Sequence, residues 1–515
     1  MVNEKQKPKP PRKRKRKWTV MIYLAGDNNL SSEMIWSIKE MKRVNKIGPR
    51  EPITVLVLFD PPPNLPAQAY VITHGDKDNK LIREAKLAAI VNKGKKGGAK
   101  TLALDPGKSS TVHPINTGDP GTLFQFISYG LEKYDAERYM VVLSGHGSGA
   151  DEDFLLKDDS ARDSLTIREL KDVFTAVKQK LKDEEKERVI DILGLDSCLM
   201  SMAEVYYELA NIEKPNSDGS SVGELDTTGL GNVVDFVVGA EGFELSAGWP
   251  YERVLSALAR SPGMNAETYA TKIVEAYILY YSDYALSGQS VDLAACDLRN
   301  GICNDLKQKV AGLADTLNKY LKNKKFKDAV LLAHYDAQSY KFDQYTDLFD
   351  FCRLLEERCD NATVKKACNG VMEVIGKIVK NSCYSGPAVQ HSYGLSVYFP
   401  WNRISPHYQC LDFARGTGWD RFLFEYVNKT RRPSRNQDCS PETGSVEEMV
   451  FKPKSVEAGT APNDSTPQGI RFTAPDDRFT APDDRGLRNR SGSMKNPPIE
   501  WCPCVCTSAE KEASG

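Results

Sequence analysis

The sequence predicts an α/β protein with a mainly parallel central sheet, and three observations carry that expectation. Short apolar runs alternate with amphipathic stretches from Trp18 to Val238. The runs are continuously apolar rather than alternating, as strands covered on both faces are. The stretches between them have helical spacing, so consecutive runs read as βαβ units. With 515 residues, 40% apolar and 27% charged, the chain can fill roughly three structural units with core.

The chain opens on a basic arm. Residues 1–17 are rich in Pro, Lys and Arg, with nine basic residues from Lys5 to Lys17, and read as disordered. The apolar run over residues 18–25 is short for a signal peptide and leads into Gly26-Asp-Asn-Asn29 without a cleavage motif. No run approaches the 18 residues that a membrane span needs. The expectation is a cytoplasmic protein with no membrane association. The formal charge of −1 argues against a nucleic-acid binder, although Arg12–Lys17 could act as a weak tether.

Strands are expected over residues 18–24, 53–59, 69–73, 139–143, 189–195 and 233–238. Helices are expected over 31–44, 122–133, 166–181 and 200–210, with Thr166 and Glu169 forming a capping-box pattern. Residues 75–121 read as a polar excursion from the sheet, and 216–231 as a loop. Further on, helices are expected over 266–281, 304–321, 347–357 and 364–379, with one late strand at 396–399. The expected organisation is a catalytic domain over 18–262 and a mostly helical region over 263–430 packed on it. A low-complexity disordered tail follows over 431–515. That tail repeats Arg-Phe-Thr-Ala-Pro-Asp-Asp from Arg471 and again from Arg478, and ends near Cys502-Pro-Cys504-Val-Cys506. Twelve irregularly spaced cysteines do not form a disulfide framework, and no metal site is read from them.

Functional groups in a parallel sheet gather beyond the carboxyl ends of the strands. Two such ends carry chemistry here. The run 139–144 is followed by Gly145-His146-Gly147, and the run 189–195 by Asp196-Ser197-Cys198. Cys198, ahead of a helix, has its thiolate favoured by the macrodipole and by a neighbouring imidazolium. This is the pairing needed for nucleophilic attack on a carbonyl, with His146 as general acid and base. Asp196, two residues before Cys198, is placed to form an anionic pocket for Arg or Lys, or to cap the helix.

The segments Ile22-Tyr-Leu-Ala-Gly-Asp-Asn-Asn-Leu30, Ser144-Gly-His-Gly147, Leu195-Asp-Ser-Cys-Leu-Met200 and Gly248-Trp-Pro-Tyr251 together resemble the clostripain family of cysteine peptidases. Asp347-Leu-Phe-Asp350 and Gly394-Leu-Ser-Val-Tyr-Phe-Pro400 resemble that family's C-terminal region. The resemblance implies a caspase-like α/β/α sandwich and cleavage on the carboxyl side of Arg, and often Lys. It implies a Cys198–His146 dyad and an oxyanion hole from the N–H groups of Gly147 and Cys198. Asp196 would sit at the base of the P1 pocket, with Glu241, Glu244 and Trp249 as further substrate-binding candidates. Self-cleavage after the Gly-His-Gly strand is implied too, and Lys157 and Arg162 are the basic residues available in 148–164. The resemblance requires no cofactor for the chemistry, while a calcium ion as a structural or stimulating ion is compatible with it. The partners expected are protein or peptide substrates with basic P1 residues, met by a monomer. The competing expectation is a catalytically idle module of the same fold that serves as a binding or scaffold protein.

Overall fold

Among the described residues of the span 16–430, fourteen short strands and the helices between them are built from the apolar runs and amphipathic stretches. The computed structural model describes residues 16–62, 65, 67–75, 82–83, 115–183, 189–210, 232–341 and 343–430. The basic arm to residue 15, the loop 211–231 and the tail from 431, with its repeat and its Cys-x-Cys-x-Cys, lie outside these described residues.

The strands are β1 (Arg16–Ala25), β2 (Ile53–Asp60), β3 (Gln68–Val71), β4 (Ile82–Arg83), β5 (Ala136–Ser144), β6 (Leu155–Asp158), β7 (Asp163–Leu165), β8 (Ile190–Asp196), β9 (Val234–Gly239), β10 (Val291–Asp297), β11 (Ser339–Tyr340), β12 (Tyr345–Asp347), β13 (Val379–Ser385) and β14 (Ser396–Tyr398). Nine of them form one sheet in the order β13-β10-β9-β8-β5-β1-β2-β3-β4. The five inner strands, β9, β8, β5, β1 and β2, are parallel neighbours. The outer strands join antiparallel on both sides.

Alternate residues of β1 feed two separate cores. Met21 and Tyr23 pack with the helices Pro120–Lys133 and Ile167–Asp183. Val20, Ile22 and Leu24 pack with the helices Ser31–Lys42, Tyr251–Arg260 and Ala266–Tyr281. The result is the expected three-layer sandwich, in which both sheet faces are covered.

Two features depart from the expectation. The basic arm ends two residues sooner than composition suggests, because Arg16 and Lys17 belong to β1. Arg16 donates to Thr54 Oγ1 and to the Pro49 carbonyl, both at 2.8 Å. The sheet also continues past residue 262. β10 and β13 lie in the stretch expected to be helical, yet they extend the same sheet from β9. β13, Val-Lys-Asn-Ser-Cys-Tyr-Ser, escapes a hydropathy reading because an edge strand tolerates polar residues. No helix among the described residues is long and apolar enough to cross a membrane.

The carboxyl ends of β1, β2, β5 and β8 are level with one another. Ala25 pairs with Asp60, Leu24 with Ser144, and Ser144 with Asp196. β1 is the point from which the parallel strands are added in both directions, so the crevice beyond its end is where a ligand site is expected.

Candidate active site

His146 and Cys198 each stand two residues beyond a strand end. Because Ser144 and Asp196 are register partners, the two side chains leave the sheet next to each other. They line one cavity of about 210 Å³, together with Asn29, Leu30, Met34, Asp196, Glu244 and Gly248.

The loops on either side press closely together. A Cβ added at Gly147 would stand 2.6 Å from the Cys198 carbonyl oxygen, so a side chain there would push the two loops apart. After Cys198 the chain turns sharply: Leu199 has φ of 65°, its N–H donates to the Gly242 carbonyl, and Ser201 N–H donates to the Ala240 carbonyl. This turn postpones the following helix to Ala203–Ala210, three residues later than its apolar pattern suggests. Beneath the turn, Ser201 Oγ donates to the Gly394 carbonyl and Ser396 N–H donates to the Ser201 carbonyl. The three-stranded sheet β11-β12-β14 therefore supports the nucleophile from below.

Glu244 brackets the Cys198 sulfur: its N–H points at Sγ at 3.3 Å, and its carbonyl oxygen lies 3.8 Å from Sγ. Burial pushes the thiol up to about 12, and the neighbouring Glu244 and Asp196 carboxyls add to the shift. Burial lowers the His146 imidazole, with Lys157 nearby acting in the same direction and Asp159 opposing. Both shifts favour a neutral thiol beside a neutral imidazole in the resting chain.

Asn29 is a residue that the sequence reading missed. Its Oδ1 is 2.7 Å from His146 Nε2. An amide oxygen only accepts, so Nε2 carries the proton and Nδ1 is left as the basic nitrogen. The signal for it was the run Gly26-Asp-Asn-Asn29 directly after β1, whose end is level with that of β5.

Asp196 is buried and fully engaged. Trp249 N–H donates to its Oδ1 at 3.0 Å, and the Tyr251 hydroxyl to its Oδ2 at 2.7 Å. Burial raises its carboxyl, while hydrogen bonds from Tyr251, Ser144, Glu244 and Trp249 work to lower it. Glu244 is driven well above the usual carboxylate range by burial and by the Asp196 charge beside it. The physical reading is one proton shared by the pair: Glu244 holds it and donates to Asp196. Gly248 has φ of 64°, and a Cβ there would meet Asp196 Oδ1 at 2.9 Å, so this turn can close on the carboxylate only with glycine.

Two candidates from the sequence stand elsewhere. Glu241 does not line the cavity. It lies on the far side of the loop, where it accepts from Gly394 N–H at 2.7 Å and faces Asp347 and Asp292. Its reach is taken up in holding β14 and the 240–242 loop, whose N–H groups at 241 and 242 donate to Asp292 at 2.7 and 3.0 Å. Trp249 is buried, packs against Gly194 and does not line the cavity either. It braces both acids, since its indole N–H also donates to Glu244 Oε1 at 3.3 Å.

Lys157 and Arg162 occupy the β6–β7 hairpin, which hangs beside His146: Leu156 N–H donates to the His146 carbonyl at 2.8 Å. The Lys157 carbonyl oxygen is held by Asn28 Nδ2 at 2.8 Å, and the next residue, Asp158, is completely buried. Arg162 is exposed at the hairpin tip with φ of 54°, and Asp163 after it is exposed as well.

The sequence profile of the clostripain family matches residues 22–425. Clostripain of Hathewaya histolytica is 26% identical over 272 residues, which make up 50% of this chain and 45% of that protein. The match thus spans under half of that relative's length. Two X-ray structures share the fold, each over 78% of this chain and 99% of the other. One is an inactive zymogen C11 protease from Parabacteroides distasonis, with a TM-score of 0.51 and 17% identity. The other is a secreted C11 cysteine protease from Bacteroides thetaiotaomicron in complex with an irreversible peptide inhibitor, with a TM-score of 0.52 and 18% identity.

If Asn29 orients the imidazole, long-range proton–nitrogen NMR at a pH where His146 is neutral is expected to show the Nε2-protonated tautomer. Asn29→Ala is expected to show a tautomer mixture under the same conditions. The same spectrum in both proteins would remove the orienting role.

Proposed function

The chain belongs to the clostripain family of cysteine peptidases, and from that premise we propose that it is a cysteine endopeptidase cleaving on the carboxyl side of Arg and Lys. The observation that carries the reading is the shared cavity of Cys198, His146, Asp196 and Glu244. Its substrates are peptides and proteins with a basic P1 side chain.

In the proposed mechanism His146 Nδ1 takes the thiol proton as Cys198 attacks the scissile carbonyl. A neutral thiol with its pKa pushed up needs this base at the moment of attack. The N–H groups of Gly147 and Cys198, which follow the register-paired ends of β5 and β8, are the proposed donors to the developing oxyanion. His146 then returns the proton to the leaving amine, and water hydrolyses the thioester with the same imidazole as base.

Asp196 and Glu244 form the proposed P1 floor. A bound guanidinium or ammonium group would take the place of the proton that the pair shares, leaving two carboxylates facing one cation. Glu244 is the half-buried member and meets the substrate side chain; Asp196 lies behind it, braced by Trp249 and Tyr251.

Cleavage of the chain's own hairpin is part of the proposal. The Arg162–Asp163 bond is favoured over Lys157–Asp158, because both Arg162 and Asp163 are exposed whereas Asp158 is buried. The resting charges of Cys198 and His146 suit a chain that waits for such a cut. The two products would stay associated through the common sheet.

Three outcomes test the reading. Cys198→Ala and His146→Ala are each expected to abolish hydrolysis of Arg peptide reporters with unchanged circular dichroism; more than a few per cent residual activity in either would sink the dyad. Asp196→Asn is expected to cost roughly 2–4 kcal/mol in kcat/KM on Arg reporters, the scale for one member of a buried charge pair. Wild-type rates in that variant would transfer the specificity to Glu244. N-terminal sequencing of active wild type is expected to find a new terminus at Asp163 that is absent from Cys198→Ala. Fully active, intact wild type would refute activation by cleavage.

A further inference from the structure

One buried carboxylate that the proposed chemistry does not use stands behind the loop that reaches the Cys198 sulfur. Asp292 is the second residue of β10 and is 1% exposed. β9 and β10 pair antiparallel as far as Gly239 and Ala294. Beyond that pair the chain leaves the ladder, and the Asp292 side chain receives its N–H groups instead. Glu241 N–H donates to Oδ2 at 2.7 Å, and Gly242 N–H donates to Oδ1 at 3.0 Å.

An aspartate suits this place because each of its two oxygens can serve one N–H. Burial pushes the carboxyl up to about 6, while the N–H groups of Glu241 and Gly242 pull the other way. It is therefore ionised at neutral pH, and hydrogen bonds to an ionised acceptor are stronger than those between neutral groups. The fit is tight as well: a Cβ at Gly242 would stand 2.7 Å from Asp292 Oδ1.

The anchored residues reach Cys198 by two routes. The Gly242 carbonyl accepts from Leu199 N–H at 2.9 Å, which holds the left-handed residue directly after the nucleophile. Two residues beyond Gly242, Glu244 N–H points at Cys198 Sγ at 3.3 Å. The chain on either side of Glu244 is poorly covered, since Phe243 is 50% exposed and Ser246 and Ala247 are exposed. Its placement thus depends on the anchor before it.

We infer that Asp292 is a positioning residue for the cysteine: by holding residues 241 and 242, it aims the Glu244 N–H at the Cys198 sulfur. A hydrogen bond donated to sulfur favours the thiolate over the thiol. Asp292 lies outside the cavity and acts through Gly242 and Glu244. The consequence for peptide hydrolysis rests on the proposed peptidase reading; the effect on the thiol does not.

The test is the rate at which iodoacetamide alkylates Cys198 in the full chain, followed by mass spectrometry of the peptide that carries it. The reagent is small and uncharged, so the readout needs no bound peptide. Cys410, which is exposed, serves as the reference in the same digest. Asp292→Asn sets an amide NH2 against one of the two backbone N–H groups. It is expected to slow Cys198 at neutral pH about three- to ten-fold, the scale for one hydrogen bond. The pH midpoint of the reaction is expected to move upward, and Cys410 to keep its rate. Gly242→Ala opens the same contact from the other side. It is expected to act in the same direction, and it carries the test should Asp292→Asn fail to fold. Asp297→Asn controls for general loosening, because this buried acid stands on the same strand and accepts from Arg299 at 2.7 and 2.8 Å. That control is expected to leave Cys198 at the wild-type rate. A Cys198 rate at or above wild type in Asp292→Asn or Gly242→Ala overturns the role, and so does an equal slowing by Asp297→Asn. Alkylation can be followed in a chain that hydrolyses no reporter, so that failure is distinct from a failure of the peptidase reading.

Discussion

The register of β5 against β8 is the constraint on which the site depends. Pairing Ser144 with Asp196 fixes His146 and Cys198 as neighbours, because each lies two residues beyond its strand. A slip of one residue in either strand would exchange the side chains that face the two cores and carry one of the two groups away from its partner in the crevice. That register is protected from both sides. Tyr139 and Leu143 pack in one core, Met140 and Val142 in the other, and β1 pairs along the length of β5.

Around this pair the protein accumulates buried acids and neutralises them locally. Burial holds Glu244 beside Asp196, and Glu241 beside Asp347, well above the usual carboxylate range, and Asp292 is held by two backbone N–H groups. Elsewhere in the molecule Glu208 is paired with Lys171 at 3.0 Å, and Lys171 with Asp412 at 2.6 Å. The two kinds of buried acid do different work. An acid already paired with lysine fastens one helix to another, whereas an acid that holds a shared proton can exchange it for an incoming cation. Asp196 and Glu244 are the proton-sharing pair that opens onto the cavity. Glu241 and Asp347 are closed off beneath it.

The turn after β1 couples the imidazole to the hairpin. Asn28 and Asn29 are adjacent, one holding the Lys157 carbonyl and the other facing His146 Nε2. A change in the hairpin therefore reaches the histidine through two consecutive residues of one short turn. The turn that carries the nucleophile has its own anchors, at 240–242 and at β14.

Sequence by itself determined the inner sheet, its helices, and the residues at the strand ends. Continuous apolar runs and helical periodicity are local properties, and the position of His146 or Cys198 after such a run follows from counting. The edge strand β13 was not legible, because an edge position relaxes the demand for apolar residues on both faces. Nor could sequence rank Glu241, Glu244 and Trp249. They fall within nine consecutive residues, yet the tight turn at Gly248 and the crossing of β14 send only Glu244 to the cavity. Asn29 became visible as a partner of His146 only once strands far apart in the chain were level at one edge. That decision belongs to tertiary structure, because a parallel sheet sets the height of each strand end by pairing with its neighbours and not by anything within the strand.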